Sequence, residues 1–177
     1  QKGSTFTVIV PQKIISNEPA GSFQKMQEKN AQHDGSRKSS FTAPKGRVLV
    51  VDDNTMNLTV FKALLKRTKL QVVTAESGEQ CLAYVQKQKF HMIFMDHMMP
   101  EMDGIETLHE IKKLAVHMDF PNKDTPVIAL TANAVAGVKE MYLAEGFAEF
   151  LTKPINAELL EYTICKYLPK EYIHTEE

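Results

Sequence analysis

Apolar residues in this chain fall into short unbroken runs separated by segments with helical spacing, and that pattern predicts most of the architecture. Met92-Ile93-Phe94-Met95 has no polar position alternating among its apolar ones, which predicts a parallel strand buried on both faces and ending at Asp96. Val48-Leu49-Val50-Val51 predicts a second such strand, ending at Asp52-Asp53-Asn54, and Pro126 to Leu130 another, ending at Thr131-Ala132. Leu70 to Thr74 predicts a shorter strand nearer the sheet edge, and Glu149 to Thr152 a short last one ending at Lys153-Pro154. Between them, Leu58, Phe61, Leu64 and Leu65 recur at helical spacing and stop before Lys69. Ser77-Gly78-Glu79-Gln80 and Asp103-Gly104-Ile105-Glu106 match capping boxes, the first before Cys81, Leu82 and Val85, the second before Leu108, Ile111 and Ala115. A further helix runs to Glu145 with Gly146 as its C-terminal glycine. Asn156 caps the final helix, whose Leu159, Leu160, Thr163 and Ile164 are expected to face inward before Leu168-Pro169 closes it. His117 to Thr125, with Pro121 and Asn122, is expected to be a surface loop.

Five strands alternating with five helices predict an α/β fold with a doubly wound, five-stranded parallel sheet, flavodoxin-like in topology. Right-handed crossovers place all strand C-termini on one side. The folded domain is expected over 46–170, with a tail over 171–177 and a flexible linker over 12–45 rich in Gln, Lys, Ser, Asn and Gly. Removing residues 1–45 is expected to spare every core residue. Ahead of the linker, Phe6, Val8 and Val10 alternate with Thr5, Thr7 and Ile9 and stop at Pro11. That is a strand pattern over 1–11, with an unstructured leader as the competing reading.

Composition narrows the function classes. The 177 residues suffice for one ordinary core plus an appendage, and 21 Lys and Arg against 22 Asp and Glu give no basic field pointing to nucleic acid. Cys81 and Cys165 fit no zinc or disulfide spacing, so buried free thiols are expected. No apolar stretch approaches a membrane span, so a cytoplasmic location without membrane contact by this stretch is expected, the parent being open to anchorage elsewhere. His109-Glu110 lacks the second histidine of a zinc-protease helix.

The candidate chemistry sits at the strand ends. Asp96 alone is equally a turn or helix-capping aspartate. Together, Asp52, Asp53 and Asp96 form a cluster at the edge where open α/β sheets bind ligands, and Thr131 and Lys153 arrive from the other half of the sheet. Packed carboxylates repel each other and any phosphate, so the site calls for a hard, oxygen-preferring cation such as Mg2+. Lys153 would add a second positive charge and Thr131 a hydrogen bond, which describes phosphoryl transfer with a carboxylate nucleophile.

Val-Val-Asp-Asp-Asn, Asp-x-x-Met-Pro-x-Met-Asp-Gly, Ala-Leu-Thr-Ala and Leu-Thr-Lys-Pro occur in this order. From Arg47 to about Leu168 the chain thereby resembles the receiver domain of two-component signalling. The resemblance implies that Asp96 is the phosphoacceptor, that Asp53 and the Met98 backbone carbonyl join it on Mg2+, and that Asp52 completes the acidic pocket. It also implies that Thr131 and Lys153 contact phosphoryl oxygens and that Phe150 is the switch aromatic, without the hydroxyl of a tyrosine. The implied partner is a phosphohistidine on a histidine kinase or phosphotransfer domain, with no small-molecule substrate. Gly3, Ser4 and Phe6 resemble the closing strand of a sensor histidine kinase ATP-binding domain, which makes the C-terminal receiver of a hybrid kinase the expected parent. This stretch would act as a phosphoryl acceptor without the kinase machinery. A receiver from a separate response regulator is the alternative. A haloacid dehalogenase-like phosphohydrolase would need an aspartate where Met98 stands.

Overall fold

The computed structural model describes residues 41–117, 119–132 and 138–175, so the strand expected over 1–11 and the linker over 12–40 lie outside the described residues. The chain runs β1 (Arg47–Val51), α1 (Thr55–Leu65), β2 (Gln71–Ala75), α2 (Gly78–Lys87), β3 (Met92–Asp96), α3 (Gly104–Leu114), β4 (Val127–Thr131), α4 (Val138–Glu145), β5 (Glu149–Thr152) and α5 (Ala157–Tyr167). Short 3-10 turns follow α1 and α5 at Lys66–Thr68 and Lys170–Tyr172. The strands are all parallel, in the order β2-β1-β3-β4-β5, so β3 is central and β2 is an edge strand, as its shorter apolar run suggests.

Successive strand residues point to opposite faces, and continuous apolar runs therefore supply two cores. Val48, Val50, Met92, Phe94, Ile128 and Leu130 pack against Leu58, Phe61 and Leu65 of α1 and Leu160 and Ile164 of α5. Leu49, Val51, Ile93, Met95, Val127 and Ala129 pack against α2, α3 and α4 on the other side. Right-handed crossovers produce this division, because the chain steps outward from β1 to β2 and then reverses past β1 to reach β3. The reversal opens a crevice between the C-terminal ends of β1 and β3.

Local signals account for most helix ends. Asn54 and Asn156 cap α1 and α5, Asp103 and Glu106 form both bonds of a capping box on α3, and Gly146 takes a left-handed φ of 97° after α4. At α2 only half the expected box forms: Ser77 accepts from Gln80 N–H, but the Gln80 amide oxygen accepts from Glu76 rather than Ser77, at 3.0 Å.

Other expectations need correcting. Leu159 is 46% exposed, because the inward stripe of α5 is carried by Leu160, Thr163 and Ile164 alone. The segment from His117 to Thr125 is not wholly on the surface. Asn122 is buried, its Oδ1 accepting from Phe90 N–H at 2.7 Å and its Nδ2 donating to Val85 O and Gln88 O at 2.6 and 2.7 Å. It fastens the end of α2 to the start of β3. Of the two free cysteines, Cys81 is buried and its thiol is pushed up to about 12 by that burial, whereas Cys165 is only half-buried.

The expected boundaries at 46 and 170 also shift outward. Phe41 and Ala43 are 1% and 0% exposed in the α1/α5-side core, Ala43 N–H donates to Thr68 O at 2.7 Å, and Thr42 and His174 exchange two backbone hydrogen bonds of 2.7 and 2.8 Å. Tyr172 in the tail packs its ring 4.4 Å from that of His91. An isolated Phe in a polar stretch shows no periodicity, which is why the sequence places it in the linker. Among the described residues no helix is long and apolar enough to cross a membrane.

Phe41→Ala is expected to lower unfolding free energy by about 3–5 kcal/mol in urea denaturation, the usual cost of emptying a buried Phe site. An unshifted midpoint would return Phe41 to the linker. His91 generates a pH dependence, since its Nδ1 accepts from Arg47 N–H at 2.9 Å and burial holds its pKa below the ordinary value. Its stabilising effect is complete above the unfolded pKa, about 6.5, and is lost as pH falls through the lower folded value. Melting temperatures measured from about pH 7 down to pH 5 should therefore fall less in His91→Ala than in the wild type.

Candidate functional site

The crevice at the C-terminal ends of β1 and β3 holds the three aspartates. Asp52, buried, and Asp53, exposed, follow β1, and Asp96, also buried, is the last residue of β3. One carboxylate oxygen of each lies within 4.8 Å of the others. Two like charges near 4 Å repel by about 4 kcal/mol at an effective dielectric of 20, so this proximity requires compensation. Lys153, just after β5, supplies part of it, its Nζ standing 2.7 Å from both Asp52 Oδ2 and Asp96 Oδ2.

Backbone geometry sets each position. The N–H of Lys153 donates to Thr131 O at 2.7 Å, which ties the lysine to the end of β4. Thr131 is itself buried, one register step beyond the Asp96–Leu130 pairing of β3 and β4. Under Asp96 lies Gly104: a Cβ there would meet the Asp96 carbonyl oxygen at 2.2 Å, so only glycine allows α3 to start this close. In the loop between them, Glu101 adopts a φ of 66°, Met102 N–H donates to Pro100 O at 2.7 Å and Gly104 N–H donates to His97 O at 3.0 Å. The Met98 side chain is 73% exposed, while its amide donates to the Asp96 carboxylate.

Burial pushes the Asp96 carboxyl above its ordinary pKa, against the opposing effect of the Lys153 ammonium. For Lys153, burial works against the charged form, but hydrogen bonds from its ammonium to Asp52 and Asp96 prevail and hold it above the ordinary lysine range. The lysine thus stays cationic. Three carboxylates against one ammonium leave negative charge uncompensated, and the all-oxygen donor set suits a hard cation.

All the sequence-derived site residues but one gather at this edge. Phe150 stands on β5 beside Ala129, half-buried, its ring stacked on Tyr142 of α4 at 6.1 Å. Two residues escaped the sequence reading. Asn57, in the first turn of α1, donates from Nδ2 to both oxygens of Asp52 at 3.0 and 3.2 Å; its place three residues after the Asn54 cap was the available signal. His97 follows Asp96 directly, with its ring edge-on to Tyr142 at 5.5 Å and a buried Nδ1 that has no hydrogen-bond partner among the described residues. A cavity of about 240 Å³ opens beside the acids, between Asn57, Val60 and Phe61 of α1 and Lys153, Pro154 and Ile155.

Known proteins resemble this chain in sequence and fold. Residues 48–164 match the family model of the response regulator receiver domain. The signal transduction histidine-protein kinase BarA of Escherichia coli is 39% identical over 122 residues, a match covering 69% of this chain but only 13% of that relative's length. The receiver domain of sensor histidine kinase PA1611 from Pseudomonas aeruginosa, solved with magnesium coordinated in its active-site cleft, is similar with a TM-score of 0.60 and 30% identity over 69% of this chain and 96% of that one. The co-crystal of the Saccharomyces cerevisiae histidine phosphotransfer protein Ypd1 with the receiver domain of its downstream response regulator Ssk1 gives a TM-score of 0.65 at 27% identity, covering 74% and 94%.

The Gly104 contact is testable without any ligand. Gly104→Ala is expected to destabilise the domain by roughly 1–3 kcal/mol, as overpacking against backbone does, and to shift the amide NMR signals of His97 and Met98. Wild-type stability with unmoved signals would show that the α3 start is not held against Asp96.

Proposed function

This chain belongs to the response regulator receiver family of two-component phosphorelays, and from that premise we propose that Asp96 accepts a phosphoryl group from a phosphohistidine with the help of Mg2+. The observation that carries the reading is the single ammonium of Lys153 bridging two of three clustered carboxylates at one strand edge. An Asp96 oxygen attacks phosphorus as the N–P bond of the donor breaks, the electron pair leaves with the imidazole, and the imidazole takes a proton. Asp53, Asp96 and the Met98 carbonyl would hold the metal, with Asp52 completing the acidic pocket. When bound, Mg2+ supplies positive charge that draws phosphoryl oxygens into a carboxylate-rich pocket and offsets charge as it builds. Lys153 neutralises a further phosphoryl oxygen, and Thr131 donates a hydrogen bond to another.

A protein donor suits the surroundings better than a small molecule. Met56, Val60 and Met98 are 67%, 50% and 73% exposed around the crevice, an apolar rim of the sort that partners cover. The donor is a histidine of the parent kinase or of a separate phosphotransfer domain, and the parent is a hybrid sensor histidine kinase. Output follows from a two-state change: Thr131 moves toward the phosphoryl group and Phe150 turns into the space vacated beside β4, which alters the α4, β5 and α5 surface. A hydrogen bond, an ion contact and one buried ring supply the few kcal/mol such a shift needs.

Mg2+ with a small acyl-phosphate donor is expected to label Asp96, as mapped by mass spectrometry, and chelating the metal should abolish labelling. Label on another residue, or label surviving Asp96→Ala, would sink the proposal. Lys153→Ala should cut labelling sharply with the fold intact. Thr131→Ala should accept phosphate slowly yet show no phosphorylation-dependent change in amide exchange over residues 138–166; a response equal to the wild type would remove Thr131 from the switch.

A further inference from the structure

We propose that Asn57 is a positioning residue that fixes the rotation of the Asp52 carboxylate and thereby sets the metal affinity of the site, a role that rests on the reading of this crevice as a Mg2+-dependent phosphoacceptor. Asn54 is the N-cap of α1, which makes Asn57 the third residue of the helix. In a capping box that residue is an acceptor, turning back to the N-cap backbone N–H. Here both partners of that bond go elsewhere. The Asn54 N–H donates to Asp52 Oδ1 at 2.9 Å, and Asn57 Nδ2 donates to Asp52 Oδ1 and Oδ2 at 3.0 and 3.2 Å. The buried carboxylate has thus taken the acceptor's place at the head of α1, and Asn57 serves it as a donor.

The consequence lies in which oxygen faces which neighbour. A carboxylate turns about a broad terminal torsion with little intrinsic preference, so only its partners decide its plane. Asn54 and Asn57 both hold Oδ1, Asn57 also touches Oδ2 at 3.2 Å, and Oδ2 accepts its shortest bond from Lys153 Nζ at 2.7 Å, the same ammonium that reaches Asp96 Oδ2. Loss of the Asn57 amide leaves Oδ1 with the Asn54 N–H alone and loosens the carboxylate plane, and Lys153 follows Oδ2 away from the geometry that leaves Asp53 and Asp96 open to a cation. Groups that orient a ligating carboxylate commonly change metal affinity by about 10–100-fold, and Asn57 reaches the ligand Asp96 through Asp52 and Lys153. Asn57 also lines the cavity beside the acids, so the group that orients Asp52 is within reach of whatever occupies that cavity.

Calorimetric titration of the unphosphorylated full chain with Mg2+ tests the role, alongside labelling kinetics with a small acyl-phosphate donor. Asn57→Ala is expected to weaken Mg2+ binding about 10-fold or more, to leave the chain folded with a modestly lower melting temperature, and to regain the wild-type labelling rate at saturating Mg2+. Asn57→Gln, which keeps the amide on a longer stem, should recover part of the affinity. If Asn57→Ala binds Mg2+ as tightly as the wild type, or if saturating metal does not restore the rate, the positioning role is overturned. A wild-type chain that binds no Mg2+ would instead overturn the phosphoacceptor reading beneath it.

Discussion

Like charges held together in a crevice that buries two of the three are the constraint on which this structure turns. Reversal of chain direction between β1 and β3 brings Asp52, Asp53 and Asp96 to one crevice, and buried flanking strands keep solvent from screening Asp52 and Asp96. Among the described residues the only cation bonded to them is Lys153, which comes from the far edge of the sheet and touches the carboxylates at the ends of β1 and β3. Its reach depends on β5 lying in register with β4, fixed by the hydrogen bond from Lys153 to Thr131. Core packing and site electrostatics are therefore not separable: a slip of β5 by one residue would turn its side chains to the other face and withdraw the ammonium.

Around that charge cluster the protein leaves little freedom. Asp96 ends a strand whose five residues are all buried, with α3 pressed against its carbonyl at Gly104. Asp52 is gripped by the head of α1. Beside it lies an aromatic layer: His97, Phe147 and Phe150 each meet Tyr142 through edge-on or stacked rings between the acid-bearing strand, α4 and β5. The aromatic layer thus adjoins the acid-bearing strand through His97, the residue directly after Asp96.

Strands and their chemical ends were legible in the sequence because continuous apolar runs have one reading when bounded by turn residues and separated by helical spacing. β3 and its terminal Asp96 follow from that rule directly. Contacts made by single residues across long separations were not legible. Phe41 enters the core from a polar stretch, Asn122 is buried within an apparent loop, and Leu159 turns outward although its neighbours face in. Asn57 belongs to the same class. Its type and position suit a helix start as well as they suit service to Asp52, and only the path of its amide separates the two.

The pairing of Thr42 with His174 closes the described domain at the end away from the acids. Because that bridge is antiparallel, the chain before Thr42 and the chain after His174 emerge side by side, at the N-terminal edge of the sheet and at the opposite end from Asp96. The bridge thus lies at the far end of the strands from Asp96, clear of the crevice that holds the acids.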